Sequence, residues 1–176
     1  HHITISIITV YRPGNTSKGQ NTIALQQQRD LQAATGQLLN PRKAFLDDLS
    51  KFVQQLHDHH HHIILCGDVN EPLRTPDSQW DAMLQQCHLY NAFTTKHLYT
   101  PLPSTCDKGP NCIDTIALSR SLPSTVITRI GYLPFYQPFS SDHRVMFCDL
   151  DAKSLFSTVI SNLTKSSYRN FNTNNV

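Results

Sequence analysis

The sequence predicts an α/β sandwich with mixed β-sheets. Two observations carry that prediction. Strand-like and helix-like segments alternate over the first 90 residues, and three further strand-like segments cluster after residue 112. Taken in order, residues 3–11 (ITISIITVY) are β-branched and alternate in places, as a buried strand does. Residues 12–20 are a Pro/Gly/Asn/Ser loop, and 22–35 are Gln- and Ala-rich and weakly helical. Asn40 can N-cap a helix whose first position is Pro41. Phe45, Leu49, Phe52, Val53 and Leu56 then share one face, so an amphipathic helix is expected to about Asp58. His59–His62 lead into a short apolar strand, IILCG. A helix around Ser78–Gln86 is expected to bury Trp80, Met83 and Leu84. Residues 99–112 form a long Pro/Thr/Gly/Cys loop. Strands are expected at 113–119, 126–131 and 145–150, and a short helix near 153–163.

The 176 residues and 20.0 kDa supply one domain's core. No apolar run approaches the roughly 20 residues of a membrane span, and no secretory leader is visible. Residues 1–151 read as the domain, and 152–176 as a basic, Ser/Asn-rich tail or linker. Net charge is +2, but after Asp151 there are three basic residues and no acid, so the preceding part carries a net −1. Such a domain would need a metal or well-placed donors to hold phosphate. Twelve of thirteen acids are Asp; the one Glu is Glu71. Five Cys without a C-x-x-C pair read as reduced, mostly buried thiols in a nuclear or cytoplasmic protein. The chain lacks an initiator Met and opens inside a strand, so it reads as a piece of something longer.

Two motifs fail on inspection. Gly14–Gly19 has phosphate-loop spacing, but Gln20 and Asn21 stand where a Lys and a hydroxyl are needed. Consecutive His59–His62, with His57 nearby, point to alternating faces and read as a solvated run. Three other segments belong together. Asp68 and Asn70, at i and i+2 after the IILCG strand, leave from one face at a strand end, where open sheets place ligands. Asp114 sits among β-branched residues, where an unpaired carboxylate would cost several kcal/mol. Ser140-Ser141-Asp142-His143-Arg144 precedes the last strand. A His is a good partner for a buried Asp, and Asp114 beside His143 would orient the imidazole and favour its charged form.

In order, Tyr11-Arg12-Pro13, Gly67-Asp68-Val69-Asn70, Ile113-Asp114 and Ser141-Asp142-His143 resemble the endonuclease/exonuclease/phosphatase superfamily, the DNase I-like proteins, over residues 3–150. TVYRP, GDVNEP and SSDHR look most like the endonuclease domains linked to reverse transcriptases in non-LTR retrotransposons. The resemblance implies a four-layered α/β sandwich with two mixed sheets, incomplete at the N-terminus. It implies Mg2+-dependent phosphodiester hydrolysis by in-line water attack, with Mn2+ as the alternative ion, on nucleic acid, DNA foremost. Asp68 would orient and deprotonate the water and contact the metal; Asn70 would position the water and touch the phosphate. His143 would stabilise the developing charge, held by Asp114. Asp142 would ligate or support the metal. Tyr11, Arg144 and Asn15 would contact substrate. A reverse transcriptase domain in the parent chain would be the protein partner, and no membrane is involved.

The pattern departs from the family's in three places, one of them Arg144, a substitution directly after Ser141-Asp142-His143. The family's metal-binding Glu lies upstream of the Tyr motif, and the only Glu here, Glu71, lies downstream of it. The family's Y-x-P-N turn becomes Tyr11-Arg12-Pro13-Gly14-Asn15, which shifts the Asn by one. Two alternatives therefore stay open: a non-catalytic nucleic-acid-binding relic, and a same-fold phosphatase acting on phosphoinositides or RNA 3′ ends.

Overall fold

A computed structural model describes residues 3–14 and 22–156. Asn15, most of the Gly14–Gly19 loop and nearly all of the tail lie outside the described residues. The elements are β1 (Ile5–Tyr11), α1 (Ile23–Thr35), α2 (Pro41–Asp58), β2 (His62–Asp68), α3 (Gln79–Gln86), β3 (Leu89–Asn91), α4 (Ala92–Lys96), β4 (Asp114–Ser119), β5 (Ile127–Tyr132), β6 (Met146–Leu150) and α5 (Ala152–Phe156).

The helix ends follow from their caps. Asn40 Oδ1 accepts from the backbone N–H groups of Arg42 (2.9 Å) and Lys43 (3.3 Å), with Pro41 at the first position. Ser78 Oγ caps α3 by accepting from Asp81 N at 3.0 Å. Replacing Asn40 by Ala leaves two donors without a side-chain acceptor, and should lower stability by about 1 kcal/mol. Urea unfolding should show a lower midpoint at unchanged slope; an unmoved midpoint would mean that packing alone holds α2.

The buried stripe of α2 is Leu46, Leu49 and Val53, flanked by Phe45 and Leu56. This corrects the expected face: Phe52 is about half exposed. At about 100° per residue, Leu46 and Val53 fall on one side of Leu49, and Phe52 falls on the other. β3 and α4 are not expected from the sequence. Both are short, and Asn91 ends the one and caps the other through Thr94 N at 3.0 Å.

Strands β1, β2, β4 and β3, in that order, form a four-stranded mixed sheet, with β1 and β2 parallel and the other pairs antiparallel. β5 and β6 form an antiparallel pair. Alternation along β2 separates two cores. Ile63 and Leu65 face α2 and α3 in a cluster that includes Val53, Trp80, Met83 and Leu84. Ile64 and Cys66, with Ile116 and Leu118 of β4, face the β5–β6 pair in a second cluster, joined by Phe93, Ile130 and Leu155. Helices, sheet and second sheet thus stack as layers around two apolar interfaces. Gly67 permits the close β1–β2 approach at the strand end: its φ is +151°, and a Cβ there would fall on the Val10 carbonyl.

The five cysteines are free, as expected. The histidine run disperses: His57 contacts the Cys87 carbonyl, His61 the Ser6 hydroxyl and His62 the Ser121 hydroxyl. Among the described residues no helix is long and apolar enough to cross a membrane.

Candidate active site

Strand register builds the site before any loop contributes. Tyr11 pairs with Asp68 across the parallel β1–β2 ladder, and Asp68 pairs with Asp114 across the antiparallel β2–β4 ladder. Directly opposed residues share a face, so all three side chains leave the sheet on the side of the second cluster. Like charges placed directly opposite one another are unfavourable. The Asp68–Asp114 pair therefore wants a cation or a proton.

The loop before β6 supplies a cationic partner. His143 Nδ1 lies 2.9 Å from Asp114 Oδ2, the contact that the sequence reading requires. Asp114 is the more buried of the two, with 15% of its side chain exposed against 30% for His143. Two features hold the pair in place. Thr105 Oγ1, fully buried, accepts from the N–H groups of Ile113 (2.9 Å) and Asp114 (3.2 Å). Ser141 Oγ accepts from His143 N at 3.0 Å. Burial works against the imidazolium, but the hydrogen bond to Asp114 and the charges of Asp114, Asp68 and Asp142 outweigh it, so the His143 pKa is raised. Asp68 is also raised, first by burial and then by Asp114, against the opposing effect of Asn70 N–H and His143. The ligand atoms of Asp68, Asp114 and His143 lie within 4.8 Å of one another.

Asn70 turns back onto Asp68. Its backbone N–H donates to Asp68 Oδ1 at 2.8 Å, and Nδ2 donates to Asp68 Oδ2 at 3.1 Å and to the Arg12 carbonyl at 2.8 Å. The turn puts Asn70 at φ +48°, a left-handed conformation that Asn tolerates better than most residues. Tyr11 is half-exposed beside Asp68. Asp142 stands apart from the Asp68–Asp114 pair. It faces Cys106, and its carboxylate is ion-paired with the exposed Lys108. Arg144 lays its guanidinium over the Phe135 ring, 4.4 Å from the centroid, and its backbone N–H donates to the Thr105 carbonyl at 2.9 Å.

Sequence reasoning missed the support beneath this cluster. Glu71, the lone Glu, does not face the Asp68–Asp114 pair. Its Oε2 is paired with the fully buried Arg12 and lies 3.5 Å from Arg42 Nη2, while Oε1 accepts from Ser78 Oγ (2.9 Å) and Trp80 N (3.0 Å). Arg42 also donates to the carbonyls of Pro13 and Asn70. The available signal was an Arg at the end of an apolar strand, which cannot be buried without a carboxylate partner.

The donor set fits a hard divalent cation. Two opposed, half-buried carboxylates offer oxygens, and a small ion of this kind takes one or two carboxylates and completes its shell with water and phosphate.

No family model matches the chain, and no curated protein does. Solved structures do. The chain is similar to the 3′ phosphatase NExo from Neisseria bound to a product DNA hairpin, at 15% identity and a TM-score of 0.59. It is also similar to the 3′–5′ exonuclease NExo from Neisseria meningitidis, at 17% identity and a TM-score of 0.58. A third is an AP endonuclease from Archaeoglobus fulgidus, at 18% identity and a TM-score of 0.54. In each case 84% of this chain is covered, and the chain spans 61–62% of the other. At these identities the likeness shows the fold: the chain has the DNase I-like α/β sandwich.

Proposed function

We propose that this chain carries the catalytic residues of a phosphodiester hydrolase acting on nucleic acid, and that its parent protein is an endonuclease that nicks DNA. The observation that carries this reading is the convergence of Asp68, Asn70, Asp114 and His143 at one sheet end. Three neighbouring structures of the same fold are named as a 3′ phosphatase bound to a product DNA hairpin, a 3′–5′ exonuclease and an AP endonuclease, which supports the substrate class.

The chain's own residues divide the work. Asp68 orients a water and takes its proton, and Asn70 fixes the carboxylate that does so. Asp114 accepts from His143 Nδ1–H and leaves Nε2 free to donate to a phosphate oxygen as negative charge develops there. We assign Tyr11, opposite Asp68 in the β1–β2 register, and Arg144, next to His143 in sequence, as further phosphate contacts. A bound Mg2+, or Mn2+ in its place, would be held by Asp68 and Asp114 and would supply charge neutralisation. TVYRP, GDVNEP and SSDHR support a place among retrotransposon endonucleases, with a reverse transcriptase domain in the parent chain and a nuclear or cytoplasmic setting.

A second reading, nucleic-acid binding without cleavage, is favoured by one observation. The only Glu of the chain is engaged by Arg12 and Arg42, away from the carboxylate pair. Incubating the chain with supercoiled plasmid and Mg2+ distinguishes the two. Nicked circles that EDTA prevents are expected. Retained DNA binding without nicking would favour the second reading, and neither would overturn both.

A further inference from the structure

Beside the carboxylate pair lies a second donor group of different chemistry. Cys106, Asp142 and His143 each present one ligand atom, and these lie within 4.8 Å of one another. The backbone fixes the three together. Cys106 and His143 form an antiparallel bridge, Asp107 N donates to the Asp142 carbonyl at 2.9 Å, and Arg144 N donates to the Thr105 carbonyl at 2.9 Å. His143 is further held by Asp114 on Nδ1, which leaves Nε2 as the nitrogen open to a metal. A carboxylate on the far nitrogen of a ligating imidazole is the usual support of a metal-bound His.

We infer that Cys106, Asp142 and His143 form a site for a thiophilic divalent cation, zinc in the first instance. One sulfur, one nitrogen and one oxygen are a three-residue zinc set with an open fourth position. Thiolate disfavours Mg2+, whereas the Asp68–Asp114 oxygens suit it, so the two neighbouring groups select different ions. Tetrahedral zinc holds such donors about 3.3–3.6 Å from one another, a spacing inside the 4.8 Å that bounds the three here. The competing Lys108–Asp142 pair is exposed and yields easily. His143 belongs to both groups, and its Nε2 cannot ligate zinc and donate to phosphate at once. On the proposed function above, zinc therefore inhibits by removing His143 from the phosphate, without displacing magnesium.

Cobalt serves as the spectroscopic probe. Titrating the chain with Co2+ should give a one-to-one complex with a thiolate-to-cobalt charge-transfer band. Cys106→Ser should abolish the band and weaken binding at least tenfold, while Cys148→Ser, remote from the group, should change neither. Circular dichroism checks that both variants fold. A band that survives Cys106→Ser, or no band in the unsubstituted chain, overturns the site. In the nicking assay, Cys106→Ser should keep its magnesium-supported rate and need at least tenfold more zinc for inhibition; equal sensitivity would refute the shared-histidine link. If the unsubstituted chain shows the cobalt band and does not nick, the zinc site stands and the hydrolase reading falls.

Discussion

His143→Ala should lower the magnesium-supported nicking rate by about 10²–10⁴-fold, with a far smaller change in DNA affinity. The magnitude combines one positioned proton donor with one preorganised source of charge stabilisation. Both arise at the same imidazole, because Asp114 holds Nδ1 at 2.9 Å and so fixes where Nε2 points. Asp68→Asn should cost a comparable factor for a different reason: the amide cannot take a proton, and it keeps only one of the two oxygens that accept from Asn70. Asp114→Asn should also lower the rate, since it gives His143 a weaker orienting partner and removes one of the two carboxylates proposed to hold the metal. Single-turnover nicking against equilibrium DNA binding separates the two effects. Activity untouched by His143→Ala and Asp68→Asn would mean that cutting occurs elsewhere or comes from a contaminant. A loss confined to affinity would reduce His143 to a binding contact.

The parts of this arrangement differ in how far the sequence reveals them. Asp68 is legible because the apolar IILCG run stops before it, and Asp114 because a lone carboxylate stands there among β-branched residues. The direct opposition of the two carboxylates is a matter of register, which a single strand does not encode. α2 is legible from Asn40 and Pro41, yet its stripe is centred between Leu49 and Val53 rather than on Phe52. β3 and α4 fall below the length at which periodicity says anything. Thr105 and Cys106 lie in a loop whose composition gives no sign that one anchors the Asp114 backbone and the other faces His143. Glu71 stands out in the composition only as a solitary acid. Its role follows from a fold that buries Arg12 beneath it.

That role sets the largest stability effect expected here. Glu71→Gln should cost about 3–5 kcal/mol, because it leaves a fully buried guanidinium without its countercharge. Arg12 also donates from Nη2 to Gln79 Oε1 at 2.7 Å, but a neutral amide does not replace a carboxylate. Urea unfolding measures the loss. Arg12→Met in the Glu71→Gln background should cost clearly less than in the unsubstituted chain, since the charge it removes is the one already orphaned. Costs that add within about 0.5 kcal/mol would show that the pair does not act as a unit. The pH dependence gives an independent check. Burial alone would raise the Glu71 pKa; the Trp80 N–H, Arg12 and Ser78 more than reverse that, so the folded value is depressed. A group whose folded pKa is depressed contributes its stability above its ordinary pKa of 4.5 and loses it as pH falls through the folded value. Acidifying below 4.5 should therefore destabilise the unsubstituted chain more steeply than Glu71→Gln, which has no carboxylate to protonate. Because Arg42, held by the same Glu71, donates to the Asn70 carbonyl, and the backbone carbonyl of Arg12 accepts from Asn70 Nδ2, the loss should reach the Asp68–Asn70 turn. A folded fraction of Glu71→Gln should then nick more slowly than its folded concentration accounts for. Unchanged activity per folded molecule would confine Glu71 to stability alone.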